Sequence, residues 1–218
     1  MNFLNIDKVY ICHWNKLKDR KEWIKKHLTD NQIYDYEWVE CYDKNTWDVD
    51  DIKKEFPNIF SSLGNGPKNI PLKLSEISLL LKHFYIIKDI IDKKYNKVLV
   101  FEDDFLLVEN FIEKFNSYMK QMPENWDLAW VGSCCQLNHP YDGFNNIYKH
   151  DGSRCTHAYA ISNQGAYKMI SELKNINDAA DWFYNRIITK LNLQNYWWEP
   201  PLAYPNGLFE TAIQNEKF

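Results

Sequence analysis

The run Lys97–Asp104, KVLVFEDD, restricts the possible folds of this chain more than any other segment. Val98, Leu99, Val100 and Phe101 are apolar without alternation. A strand with that pattern is covered on both faces, as happens when helices pack above and below a largely parallel sheet. Glu102, Asp103 and Asp104 follow at once. In sheets of that kind ligands gather outside the carboxyl ends of the strands. An isolated Glu-Asp-Asp is more often a solvated acidic turn, and its place directly after a buried strand is what turns it into a candidate site.

Three adjacent carboxylates repel one another and are costly beside apolar structure unless a cation or several donors offset them. Hard oxygen ligands select Mg²⁺ or Mn²⁺, ions that bridge the phosphates of a nucleotide and stabilise charge on a departing diphosphate. Alternate residues of extended chain point the same way. Glu102 and Asp104 are therefore the expected metal ligands, with Asp103 turned to a ribose or a backbone donor.

The rest of the chain alternates strands and helices. Lys8–Cys12 reads as a strand, Asp19–Leu28 as a helix with Trp23, Ile24 and Leu28 at helical spacing, and Tyr36–Val39 as a second strand. Asp48–Phe56 is a short helix stopped by Pro57, and Ser61–Pro71 is dense in Gly, Pro, Ser and Asn, the composition of an irregular lid. From Leu72 to Asp92 apolar residues recur every three or four positions, which gives a long helix with Ser75 as its cap. Further helices are expected at Asn110–Met122, Asn163–Leu173 and Ala180–Leu191, and strands at Asp127–Val131 and Thr156–Ile161. A loop runs through Tyr148, and the tail from Trp197, with Pro200, Pro201 and Pro205, is expected to wrap the surface. This order implies one α/β domain over residues 1–218, with a mainly parallel central sheet flanked by helices.

Composition narrows the partners. A formal charge of −4 supplies no basic field for a polyanion, which argues against nucleic acid. The N-terminus lacks a basic stretch followed by a long apolar run, so neither a secretory signal nor a membrane-spanning segment is read there, and a cytoplasmic protein is expected. The five cysteines are odd in number and lack a CxxC pair, which reads as reduced thiols. Aromatic residues reach 16%, more than a core of this size needs, and their faces suit sugar rings and nucleobases.

Four blocks, in order and across nearly the whole chain, resemble glycosyltransferase family 25, the group of lipopolysaccharide glycosyltransferases and collagen galactosyltransferases. They are VYICHWNKLKDRKEW with Arg20, LSEISLLLKHFYIIKDI with Glu76 and His83, VLVFEDDFLL, and THAYAISNQGAYKMI with Thr156, Tyr159, Gly165 and Ala166. The resemblance implies a GT-A-like fold with a Rossmann-like nucleotide-binding half, a DxD-like motif, a UDP-sugar donor such as UDP-galactose or UDP-glucose, and Mn²⁺ or Mg²⁺. It also implies transfer, with inversion, to a hydroxyl of a glycan or of hydroxylysine. The chain departs from the family pattern at Ser75 and Ser78, where glycines are common, and at Lys82, where a serine commonly precedes the His. In GLFETAI, Ala212 replaces an acid.

Inversion requires a general base that deprotonates the acceptor hydroxyl. Asp181, in DAADWFYN, is the first candidate and Glu210 the second; for Asp181 the plainer reading is a helix-capping acid, as it is for Asp178. His13 and Arg20 flank the first strand and are expected to face the nucleotide, with Arg20 on diphosphate oxygens. A surface Arg paired with a nearby acid is the competing explanation. Asp43 is placed to meet uracil or ribose, although turn aspartates are commoner. Glu76, His83 and Thr156 complete the expected donor side, the first two also reading as a buried polar pair that supports the site. His139, His150 and His157 show no metal-triad spacing. A haloacid-dehalogenase-type phosphatase would need Asp at position 102 and Thr or Val at 106, where the chain has Glu102 and Leu106. A catalytically inactive carbohydrate-binding module of the same fold is the remaining alternative.

Overall fold

The computed structural model describes residues 6–57, 72–174 and 178–209. Its elements are β1 (Lys8–Cys12), α1 (Lys18–Asp30), β2 (Glu37–Val39), α2 (Val49–Glu55), α3 (Leu74–Lys93), β3 (Lys97–Glu102), β4 (Phe105–Leu107) and α4 (Phe111–Met119). They continue with β5 (Leu128–Trp130), β6 (Ile147–Lys149), β7 (Ala158–Ser162), α5 (Asn163–Met169), a 3-10 turn at Ile170–Lys174, α6 (Ala180–Lys190), β8 (Asn195–Trp198) and β9 (Ala203–Pro205).

A seven-stranded sheet in the order β2-β1-β3-β7-β5-β8-β6 forms the centre. From the pairings, β2, β1, β3, β5 and β8 run one way and only β7 and β6 run the other, so the sheet is mainly parallel by strand direction. Side chains on β3 alternate between two cores, as a strand with period two requires. Val98 and Val100 enter the layer built by α3, α5 and α6, with Leu80, Phe84, Ile87, Phe183 and Ile187. Leu99 and Phe101 enter the opposite layer with Ile24 and Leu28 of α1 and Phe111 and Phe115 of α4. The unalternating apolar run therefore means what it implied: helices cover both faces. Among the described residues no helix is long and apolar enough to cross a membrane.

Three expectations about local structure change. The loop through Tyr148 contains a strand, β6, and the tail is not a surface wrap: β8 lies between β5 and β6 with Trp198 fully buried. Pro200 and Pro201 stop the strand just after Trp198 rather than exclude it. α3 starts two residues before Ser75 would allow. Lys73 is its N-cap, and the Glu76 carboxylate accepts from the Lys73 backbone N–H at 2.7 Å. The expected lid at Ser61–Pro71 lies outside the described residues.

Gly165 shows how tightly the layers close. Ser162 caps α5, its hydroxyl accepting from the Gly165 N–H at 3.1 Å. A Cβ on Gly165 would stand 2.5 Å from the Asp127 carbonyl oxygen. That carbonyl already accepts from Ser162 N–H at 3.1 Å, so the backbone there is pinned. Gly165→Ala is expected to destabilise the fold by about 1–3 kcal/mol through overpacking. Urea unfolding measures this, and an unchanged midpoint would contradict the close approach.

Candidate active site

The acidic triplet, His13, Thr156 and His157 gather at one end of the sheet, where α1, α3 and α6 add Arg20, Glu76, Lys82 and Asp181. β1, β2, β3 and β5 deliver their carboxyl ends there, and β7, being antiparallel, delivers its amino end, with Thr156 and His157 just before it. Cys12 pairs with Glu102 across β1 and β3, which brings the turn after β1 beside the acidic triplet. The His157 carbonyl accepts from the Glu102 N–H at 3.0 Å and fixes β7 on the other side.

The three acids meet three different environments. Asp103 turns toward the β1 turn, where Arg20 Nη1 donates to Oδ1 at 2.6 Å and His13 Nδ1 donates to Oδ2 at 2.7 Å. Burial opposes its charge, but the His13 hydrogen bond and the Arg20 guanidinium outweigh that and hold the carboxyl below its usual value. Glu102 Oε1 accepts from His83 Nε2 at 3.2 Å. Asp104 has no such partner: Oδ1 is buried and makes no hydrogen bond among the described residues. Burial first, and then the charges of Glu102 and Asp103, push its carboxyl up to about 7. All three acids line one cleft, and Glu102 and Asp104 also line a second that Asp103 does not reach.

Two clefts meet at this pair. The first is lined by His13, Trp14, Arg20, Lys44, Ser78, Lys82 and the whole acidic triplet. The second is lined by Glu76, Thr156, His157, the Cys134 and Cys155 pair, Asp181, Glu102 and Asp104. Glu102, Asp104 and Leu79 belong to both. Among the described residues no group of three or more His, Cys, Asp and Glu side chains forms a ready metal cage. Two carboxylates suffice for a hydrated Mg²⁺ or Mn²⁺ that takes its remaining ligands from water and phosphate. The orphaned Asp104 oxygen and its raised pKa mark uncompensated negative charge at that spot, so Glu102 and Asp104 fit a divalent cation.

The remaining expected residues divide by role. Asp43 is fully buried, paired with Lys82 and accepting from the Asn15 N–H at 3.1 Å. Arg20 is engaged by Asp103, and the Phe209 ring lies 4.8 Å from its guanidinium carbon. Glu76 lines the second cleft while capping α3. Asp181 sits in the first turn of α6; burial, followed by the nearby charges of Glu102 and Glu76, raises its pKa against the pull of the Trp182 N–H. Glu210 lies outside the described residues.

Sequence reasoning did not assign Trp14, Lys44 and Lys82 to the first cleft. Trp14 and Lys44 follow the ends of β1 and β2, and that position was the available signal; the Lys44 ammonium stands 4.8 Å from the Trp14 ring centre. Lys82 and Ser78, two departures from the family pattern, both hold the segment after β2: Ser78 Oγ donates to the Tyr42 carbonyl at 2.7 Å and Lys82 Nζ to the Cys41 carbonyl at 2.8 Å. His157, also unassigned, has its Nε2 3.4 Å from the Ala203 carbonyl. The reading of all cysteines as reduced is corrected. Cys134 and Cys155 form a disulfide between the loop after β5 and the approach to β7, a pairing across 21 residues that sequence spacing does not reveal.

The model of glycosyltransferase family 25 (LPS biosynthesis protein) matches residues 6–184. The chain is similar to procollagen galactosyltransferase 2 of Mus musculus, 26% identical over 174 residues that make up 77% of this chain and 28% of that protein. It is also similar to procollagen lysyl hydroxylase and glycosyltransferase of Acanthamoeba polyphaga mimivirus, 29% identical over 127 residues, 54% of this chain and 14% of the other. The chain thus spans under a third of the length of the curated relatives it matches. Among solved structures, a glycosyltransferase involved in the glycosylation of the major capsid of PBCV-1 superposes with a TM-score of 0.48 at 11% identity, over 93% of each chain.

The electrostatics of Asp104 give a stability prediction. Its folded pKa lies above the ordinary value, so the folded state holds the extra proton and stability falls as pH rises from about 4 through about 7. In metal-free protein, Asp104→Asn should raise stability at pH 8 by on the order of 1–2 kcal/mol after allowing for partial solvent access, read as a higher melting temperature. At pH 4 the two proteins should melt together. Equal melting at both pH values would show that Asp104 carries no such burden.

Proposed function

The chain belongs to glycosyltransferase family 25, and from that premise we propose that it moves a hexose, galactose or glucose, from a UDP-sugar to a hydroxyl of a glycan or of hydroxylysine. The transfer inverts the anomeric carbon and depends on Mn²⁺ or Mg²⁺ held by Glu102 and Asp104. One observation carries this reading: the two carboxylates form the boundary between two clefts, one basic and aromatic, the other ending at Asp181. A donor diphosphate in the first cleft and an acceptor in the second meet at that boundary.

A bound divalent ion supplies charge stabilisation for the departing diphosphate. The chain's own residues do the rest. Trp14 and Lys44 offer an aromatic face and a cation to the nucleotide, and His13 and Arg20 hold Asp103, which shapes the ribose side. Asp43, locked by Lys82, fixes the segment that closes the cleft behind the base. Thr156 and Glu76 line the second cleft, where the hexose and the acceptor hydroxyl come together. Asp181 accepts the hydroxyl proton. Its raised pKa suits a general base, because a carboxylate of higher pKa takes a proton more readily. The names of the relatives, procollagen galactosyltransferases, favour galactose and a procollagen-like protein acceptor.

UDP release from UDP-galactose and UDP-glucose, with and without Mn²⁺, tests the proposal. Mn²⁺-dependent release with one donor preferred is the expected result; no turnover together with no Mn²⁺-dependent nucleotide binding would leave a non-catalytic module. Asp181→Asn should bind UDP and Mn²⁺ as the wild type does and lose transfer by about 10²–10⁴-fold. Undiminished turnover would remove Asp181 from the mechanism.

A further inference from the structure

Behind Glu102 a chain of hydrogen bonds runs into the core. His83 Nε2 meets Glu102 Oε1 at 3.2 Å, His83 Nδ1 meets the Tyr159 hydroxyl at 2.8 Å, and the Tyr159 and Tyr184 hydroxyls meet at 2.7 Å. His83, Tyr159 and Tyr184 have no solvent exposure. They stand on α3, β7 and α6, so the chain crosses from the edge of β3 to the helix that carries Asp181. Tyr184 follows Asp181 by three residues, one turn along the same side of α6.

Proton directions follow from what each group can donate. An ionised Glu102 only accepts, so His83 must present an Nε2–H to it. In the neutral ring Nδ1 is then a bare lone pair and needs a donor, which is the Tyr159 hydroxyl. With its one proton used, Tyr159 accepts from Tyr184. Burial raises both phenols well above their usual pKa, which keeps them protonated as this order demands. The reverse order places the Nε2 lone pair against the Glu102 carboxylate.

We propose that Tyr184, Tyr159 and His83 form a positioning strut: they lock His83 as an Nε2–H donor, aim the Glu102 carboxylate at the cation it shares with Asp104, and register the Asp181 turn of α6 against that cation. The inference rests on the metal reading of Glu102 and Asp104. Partners behind a metal ligand fix its orientation, and their loss commonly weakens metal binding about 10–100-fold. The strut makes a graded demand. Tyr159→Phe removes the donor that fixes the His83 tautomer, whereas Tyr184→Phe leaves Tyr159 its proton for His83.

Titration calorimetry with Mn²⁺ and, separately, with UDP in the absence of metal tests the strut on the full chain. Tyr159→Phe should weaken Mn²⁺ binding about tenfold and Tyr184→Phe by about threefold or less, with metal-free UDP binding unchanged in both. No Mn²⁺ binding by the wild type overturns the metal reading and this inference with it. Wild-type binding with an unchanged Mn²⁺ affinity in Tyr159→Phe overturns the strut alone, and so do equal losses in the two variants. Nitrogen-detected NMR of the histidine rings in metal-free wild-type protein, with His83 assigned by its loss in His83→Gln, decides the matter should Tyr159→Phe not fold. A bare Nδ1 beside a protonated Nε2 supports the strut; the opposite tautomer or an imidazolium overturns it.

Discussion

The constraint on which this structure turns is the crowding of three carboxylates at the end of a fully buried strand. β3 cannot move, because Val98 to Phe101 are locked into the two cores on either side of the sheet. Its acids therefore cannot relax away from one another, and each needs a partner brought to it. Asp103 receives Arg20 and His13, and Glu102 receives His83. Asp104 receives nothing from the described protein on its buried oxygen. Like charges held close raise the pKa of whichever member is least compensated, and Asp104 is that member.

Those partners also explain how distant segments are joined. The Asp103 contacts fasten the turn after β1, and hence the start of α1, to the end of β3. The buried Asp43–Lys82 pair fastens the segment after β2 to α3. Removing one member of a buried ion pair costs about 3–5 kcal/mol because the other is left unpaired, whereas replacing both with packed apolar groups is often harmless. The pair is thus better understood as fixing where that segment sits than as a source of stability. It places Lys44 over Trp14 and gives the first cleft its wall.

How much of this was legible in the sequence depended on whether the signal was local. The β3 run announced a doubly covered strand, and the 3.6-residue rhythm of Ile77, Leu80, Leu81 and Phe84 announced α3, because burial writes itself into local periodicity. β8 was not legible. Its Trp197 and Trp198 are buried by partners on β5 and β6, and the prolines after them resembled the composition of a surface tail. The site divided in the same way. The acids of β3, Asp181 and His83 were candidates by type and position, whereas the Tyr159 hydroxyl, 2.8 Å from His83 Nδ1 and 2.7 Å from the Tyr184 hydroxyl, joins three elements that no local pattern links. The Cys134–Cys155 bond is a long-range pairing of the same kind.

The acids of the second cleft also sort themselves by what already occupies them. Glu76 is committed to the N-terminus of α3, where its carboxylate is stabilised by the Lys73 N–H. Glu102 is committed to His83 and, with Asp104, to the boundary between the clefts. Asp181 differs: its hydrogen bond is to the adjacent Trp182 N–H through Oδ1, and its carboxyl is raised by burial and by the acids facing it. In the proposed base role, burial and then the nearby charges of Glu102 and Glu76 supply the raised proton affinity. Burial first, and Glu102 foremost among the neighbouring acids, raises the pKa of both Asp104 and Asp181. Under the proposed metal and base roles, a cation at Glu102 and Asp104 would ease the Glu102 charge that bears on Asp181. Asp104 and Asp181 are separated in the chain by 77 positions and joined in space by a single cleft.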